Sequence, residues 1–188
     1  MNYKFIVHIL GCVLELEAVC MLLPLLCAVC YGDTSSMYVF LICAAICAIV
    51  GAVPAAICPK NKNIYSREGF AVVALCWIVM SIFGSLPFII SGTIPSFIHA
   101  VFETASGFTT TGASILTDVE TVPKAVLFWR SFTHWIGGMG VLVFLVAVVP
   151  LAGGSNMYLL KAESPGPSVS KLVPRVRSTA KILYGIYF

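Results

Sequence analysis

Apolar residues crowd into four long stretches of this chain, at about 8–30, 37–58, 70–90 and 126–149, with short polar segments between them. At roughly 1.5 Å per residue in a helix, each is long enough to cross a hydrocarbon core of about 30 Å. The first, from about His8 to Cys30, follows Lys4 and ends in the turn Tyr31-Gly32-Asp33. A signal peptide would have a shorter apolar region and a small-residue cleavage site, so a retained transmembrane helix is expected. The second, about Met37 to Cys58, stops at Pro59 and enters the polar segment KNKNIYSREG. The third, about Phe70 to Ile90, closes at Ser91-Gly92, and the fourth, about Val126 to Val149, closes at Pro150 and Gly153-Gly154.

The piece between the third and fourth stretches differs. Thr93 as a cap and Pro95 in the first turn predict the start of a short helix. The apolar run that follows reaches only to about Gly107. A helix of about a dozen residues extends only about halfway through the membrane, so it must enter and return. The segment ETASGFTTTGAS, Glu103 to Ser114, then falls as a polar loop at membrane depth. Non-helical backbone survives there only when buried in protein or lining a watery cavity.

Composition and charge agree with an all-α polytopic membrane protein. Hydrophobic residues make up 60% and charged residues 10% of the 188, against about 25% charged in soluble domains. All but two of the eleven Lys and Arg residues lie at Lys4, between Lys60 and Arg67, or in the tail from Lys161 to Lys181. The positive-inside bias puts these segments, and the amino terminus, in the cytoplasm. The net charge of +3 is a topology signal and not a nucleic-acid footprint. Lys124 and Arg130 fall at the outer end of the fourth span, and the short helix with its loop is drawn as a re-entrant hairpin from the outer face.

A loop of this kind suits a cation filter. Carbonyl oxygens must replace the ion's water, which calls for an extended strip containing a residue that tolerates unusual torsion angles. Gly112 supplies that residue. Thr109, Thr110, Thr111 and Ala113 complete the candidate strip, with Thr110, Thr111 and Gly112 as cation-binding positions. The preceding helix aims its negative carboxyl end at the cavity. An ordinary outer turn rich in threonine and glycine is the plainer alternative, and the depth constraint argues against it.

Two stretches carry a family resemblance: FETASGFTTTGAS, Phe102 to Ser114, and FWRSFTHWIGGMGVLVFLVAVVP, Phe128 to Pro150. The chain resembles the amino-terminal part of the Trk/Ktr/HKT superfamily of potassium transporters, and is most similar to its TrkH-type subunits. The resemblance implies four covalently linked repeats of helix, pore loop and helix around a central pore, of the potassium-channel type, with two extra helices in front. On this chain it implies the two extra helices at 1–59, a cytoplasmic loop at 60–69 and the first repeat at 70–150, its re-entrant helix and filter at about 95–114. A cytoplasmic connector at 151–175 and the start of a further transmembrane helix at 176–188 follow. The expected function is potassium uptake across a bacterial inner membrane, this chain giving one of four filter segments. A cytosolic nucleotide-binding regulatory subunit of the TrkA type and a homodimer of the full-length protein are the implied partners besides lipid. One pore loop is a quarter of a fourfold filter, so either the chain is part of a longer polypeptide, the favoured expectation, or short chains tetramerise. A truncated, non-conducting membrane subunit or scaffold is the alternative function.

Other residues invite weighing. Glu15 and Glu17 lie inside the first span, where ionisable groups are functional candidates, but they sit about 200° apart around a helix and cannot share one partner. Glu103 and Arg130 are expected to form an ion pair bracing the loop. Close packing is the simpler role for Gly137, Gly138 and Gly140, with a hinge as the alternative. His134 and Trp135 are expected to pack rather than bind, and His8 and His99 offer no metal-ligand spacing. The eight cysteines lie almost wholly within spans, and Cys27-x-x-Cys30 reads as packing residues. No phosphate-cradling motif or nucleophile–base pair supports an enzyme, and no cofactor is expected beyond potassium as substrate.

Overall fold

The computed structural model describes residues 3–57 and 66–152. Residues 60–65 of the 60–69 loop, the connector at 151–175 except its first two residues, and the start of a further helix at 176–188 lie outside the described residues. Within them the chain forms seven helices and no strand. These are α1 (Tyr3–Cys20), α2 (Leu22–Tyr31), α3 (Thr34–Ala55), α4 (Ser66–Gly84), α5 (Leu86–Ile90), α6 (Phe97–Phe108) and α7 (Lys124–Ala152).

The first predicted span is thus two helices in sequence, broken at Met21. Pro24 is the reason: it offers no N–H to the Cys20 carbonyl one turn earlier, and its ring crowds that oxygen. The pair still forms one apolar path from Tyr3 to Tyr31. Gly32, at φ 68°, ends α2 in the left-handed conformation that favours glycine. Asp33 then caps α3, its carboxylate accepting from the Ser36 N–H at 3.2 Å and the Ser36 hydroxyl at 2.5 Å.

α1 and α3 pack closely because two glycines face each other. A Cβ at Gly11 would overlap the backbone of Gly51 and Ala55, and His8 Nδ1 bonds the Ala55 carbonyl at 2.9 Å. Small residues allow such approach where lipid gives no hydrophobic drive between helices.

The third span is likewise divided, into α4 and α5, at Gly84 and Ser85. Pro87 stands in the first turn of α5 and removes a helical donor. The Gly84 carbonyl freed at this break accepts the indole N–H of Trp129, at 2.9 Å. Trp129 is fully buried and meets Phe40 of α3 edge-on, with ring centroids 6.4 Å apart. One side chain so joins the front helices, the break and α7. Large apolar residues such as Ile49, Val53 and Ile98 are exposed, as lipid-facing positions of a multi-pass membrane protein should be.

α6 begins at Phe97 with Ser96 as its N-cap, later than the cap at Thr93 expected from sequence. Gly92, at φ 73°, and the Ile94 N–H bond to the Phe88 carbonyl use residues 92–94 to finish α5 instead. The Thr93 hydroxyl pairs with that of Ser91 at 2.8 Å. α7 starts at Lys124 and is interrupted at Gly140, whose φ of 70° and ψ of 150° are not helical. Gly140 therefore marks a bend.

Candidate functional site

α6 is 12 residues long, so it covers only about 18 Å. Its carboxyl end is locked between glycines. A Cβ at Gly137 of α7 would overlap the Phe108 carbonyl, and one at Gly107 would overlap the Thr133 hydroxyl. The expected packing role of Gly137 is met at this contact, while Gly140 carries the bend.

The chain leaves α6 through a tight turn. Thr109 is the C-cap, the Thr110 N–H bonds the Gly107 carbonyl at 3.0 Å, and the Thr111 N–H bonds the Ser106 carbonyl at 3.0 Å. This is the paired arrangement that normally places glycine in the left-handed position. Here Thr110 holds it, at φ 56°. A β-branched residue in that region is a genuine outlier, costing of order 1–2 kcal/mol. The Thr109 hydroxyl donates to the Ala105 carbonyl at 2.7 Å and lies 2.8 Å from that of Thr111. Thr109, Thr110 and Thr111 thus form a helix-terminal turn, where the sequence predicted an extended strip from Thr109 onward.

Gly112 has φ 76°, and an added Cβ would meet nothing within 4 Å. Its requirement for glycine is torsional. Residues 109–114 are exposed, and they follow directly on the carboxyl end of α6, the negative end of its helix dipole. Ala113 differs from its neighbours: its carbonyl accepts from the Ser106 hydroxyl at 2.6 Å, so it is tied back toward α6.

Behind the strip lies Glu103, 1% exposed. One oxygen accepts from Arg130 Nε at 2.5 Å and from the Ser114 hydroxyl at 2.9 Å; the other accepts from the Ile115 N–H at 2.8 Å. The expected Glu103–Arg130 ion pair is present, and Glu103 also holds the returning backbone. Charge-assisted bonds of this kind are about twice as strong as neutral ones. The Arg130 carbonyl accepts from the Thr133 hydroxyl at 2.7 Å and lies 3.0 Å from His134 Nδ1. Trp135 stacks on Phe132.

Ser106, Ser114 and Trp129 were not legible as site residues in the sequence. Only the recurrence of small hydroxyl residues on both flanks of the threonine run hints at the first two. Among the described residues no group of His, Cys, Asp and Glu is placed to hold a metal ion.

Residues 36–188 match the family model TrkH, described as a cation transport protein. The Trk system potassium uptake protein TrkH of Vibrio parahaemolyticus is 39% identical over 198 residues, covering 100% of this chain and 39% of that protein. TrkG of Escherichia coli, also a Trk system potassium uptake protein, is 36% identical, with 99% of this chain and 39% of that protein covered. An uncharacterized cation transporter of Methanocaldococcus jannaschii is 35% identical over 97% of this chain and 37% of its own. The crystal structure of the potassium transporter TrkH from Vibrio parahaemolyticus superposes with a TM-score of 0.77 at 35% identity, covering all of this chain and 37% of that one. The chain thus spans about 39% of the length of the curated relatives it matches.

Proposed function

Because this chain belongs to the TrkH family of cation transport proteins, we propose that it supplies one of four filter segments for potassium uptake across a bacterial inner membrane. The observation that carries this reading is the exposed strip at the carboxyl end of a half-span helix, with Gly112 in a left-handed conformation and its rear held by Glu103. The remaining segments come from the rest of a fourfold assembly, and the amino terminus lies in the cytoplasm.

In this mechanism an entering ion exchanges water for oxygens of Thr110, Thr111 and Gly112. Thr109 orients the Thr111 hydroxyl, and Ala113, tethered by Ser106, sets where the strip ends. Preorganised oxygens cost nothing to reorient when the ion arrives, and the end of α6 adds a field favouring a positive charge. The negative charge of Glu103 is matched by Arg130, so its role is to hold the strip in register and not to bind the ion. The membrane potential drives entry by about 2.3 kcal/mol per charge per 100 mV. A cytosolic nucleotide-binding subunit of the TrkA type, homodimerisation and the domain division at 60–69 and 151–175 complete the reading.

The test is potassium and sodium uptake by the polypeptide as its native gene encodes it, in cells lacking other potassium uptake. Gly112→Ser should relax or abolish the preference for potassium, because serine resists the torsion that Gly112 adopts. An unchanged preference would sink the assignment, and absence of flux from the unmodified protein would favour a non-conducting subunit.

A further inference from the structure

The backbone of the strip changes character between Gly112 and Ala113. Among the described residues the carbonyls of Thr110, Thr111 and Gly112 accept no hydrogen bond, while that of Ala113 accepts from the Ser106 hydroxyl at 2.6 Å. Three consecutive carbonyls are left to be served by water or an ion, and the fourth is already served. Ser106 is 5% exposed whereas Ala113 is exposed, so this bond turns the Ala113 carbonyl from the open side toward α6.

Ser106 holds the strip at a second point. Its own carbonyl is one of the last four of α6, which have no donor within a regular helix, and it accepts the Thr111 N–H at 3.0 Å. One residue thus clamps Thr111 through its backbone and Ala113 through its side chain. Gly112 links the two fixed points, at φ 76° and with no hydrogen bond of its own among the described residues. Glycine has the widest torsional freedom of any residue, so the direction of its carbonyl is set by the anchors on either side. Glu103 stands three residues earlier, on the same face of α6, and holds Ser114 and Ile115. Glu103 fixes where the chain returns, and Ser106 fixes which carbonyls stay on the open side.

We propose that Ser106 is a specificity-determining positioning residue: its bonds to Thr111 and Ala113 limit the coordinating set to three carbonyls, with Gly112 the last, and fix their spacing. This deepens the transport reading above and rests on it. Both the number of carbonyls around a dehydrated cation and their spacing bear on the choice between potassium and sodium. A released Ala113 carbonyl is free to turn outward and add an oxygen, and Gly112 then loses one of its two anchors.

The experiment measures uptake of radioactive rubidium, with and without competing sodium, by the full-length polypeptide in cells lacking other potassium uptake, its amount in the membrane being followed by immunoblot. Ser106→Ala removes the hydroxyl and keeps the backbone bond to Thr111. Rubidium uptake without sodium should persist, and the preference for rubidium over sodium should fall about tenfold, the scale of one lost hydrogen bond. Ser106→Cys has nearly the same volume but a weaker donor, and its preference should lie between those of alanine and wild type. Wild-type preference in Ser106→Ala overturns the proposal, and so does loss of rubidium uptake without sodium at a normal membrane amount, which marks a general structural role. Wild-type preference in Ser106→Cys assigns any effect of alanine to volume and overturns it too. Should Ser106→Ala fail to reach the membrane, Ser106→Cys decides: a lowered preference supports the role and a wild-type ratio removes it. Normal rubidium flux with insensitive variants removes the Ser106 role alone. No flux from the unmodified protein removes the transport reading and this role with it.

Discussion

Thr110 and Gly112 share one torsional region for different reasons, and substitutions separate them. Thr110 closes the turn that ends α6 and pays backbone strain to do so. Thr110→Gly should raise thermal stability in detergent by about 1 kcal/mol, because glycine adopts the left-handed torsion without the strain that threonine carries there. A loss of stability would show that the hydroxyl or methyl packs more tightly than its exposure indicates. Glu103 poses the opposite case, a single residue with three bonds. Glu103→Gln should lower stability by about 2–3 kcal/mol, because Arg130, only 19% exposed, loses its countercharge. Exchanging the pair, Glu103→Arg with Arg130→Glu, should restore little, since arginine cannot accept from Ser114 and the Ile115 N–H. Melting of the purified variants measures both effects.

Helix boundaries follow local chemistry wherever a cap or proline sets them. Asp33 illustrates this at the start of α3. The Ser36 hydroxyl and N–H hold its carboxyl below the usual carboxylate range. The ionised form is thus the one the cap stabilises, so its contribution is full above the ordinary carboxylate pKa of about 4 and is lost as pH falls through the lowered folded value. Asp33→Ala should cost about 1 kcal/mol near neutrality, and the difference from wild type should fade on acidification. Melting curves across pH check it; a difference that grows toward acid would contradict the sign. The sequence pointed to Asp33 through the Tyr31-Gly32-Asp33 turn, but misplaced the start of α6. Thr93 and Pro95 are good starting residues in isolation, yet Gly92 and Ile94 are used to end α5. Two adjacent signals competed, and the one that satisfied α5's open carbonyls won.

Across the whole molecule, Trp129 is the residue through which the front helices, the break in α4 and α7 meet. Trp129→Phe keeps most of the ring contact with Phe40 but leaves the Gly84 carbonyl without its donor, and should cost about 1–3 kcal/mol. If melting is unchanged, the indole bond contributes nothing net. No local pattern distinguishes Trp129 from Trp77 or Trp135, because its role depends on a carbonyl 45 positions away. The same holds for Glu103. Its pairing with Arg130 follows from the need of two charges at membrane depth, but its hold on Ser114 and Ile115 requires the return path of the chain. Sequence alone determined the helical class, the apolar spans, the half-length helix and the glycine of the strip. Each is dictated by hydropathy, by length against a fixed membrane thickness, or by a residue's own torsional range. Tertiary structure decided the turn at Thr109 to Thr111, the tether from Ser106 to Ala113, and the bond of Trp129 to Gly84. These depend on which freed carbonyls and bare glycine faces come together when distant helices pack, and no single segment holds that information.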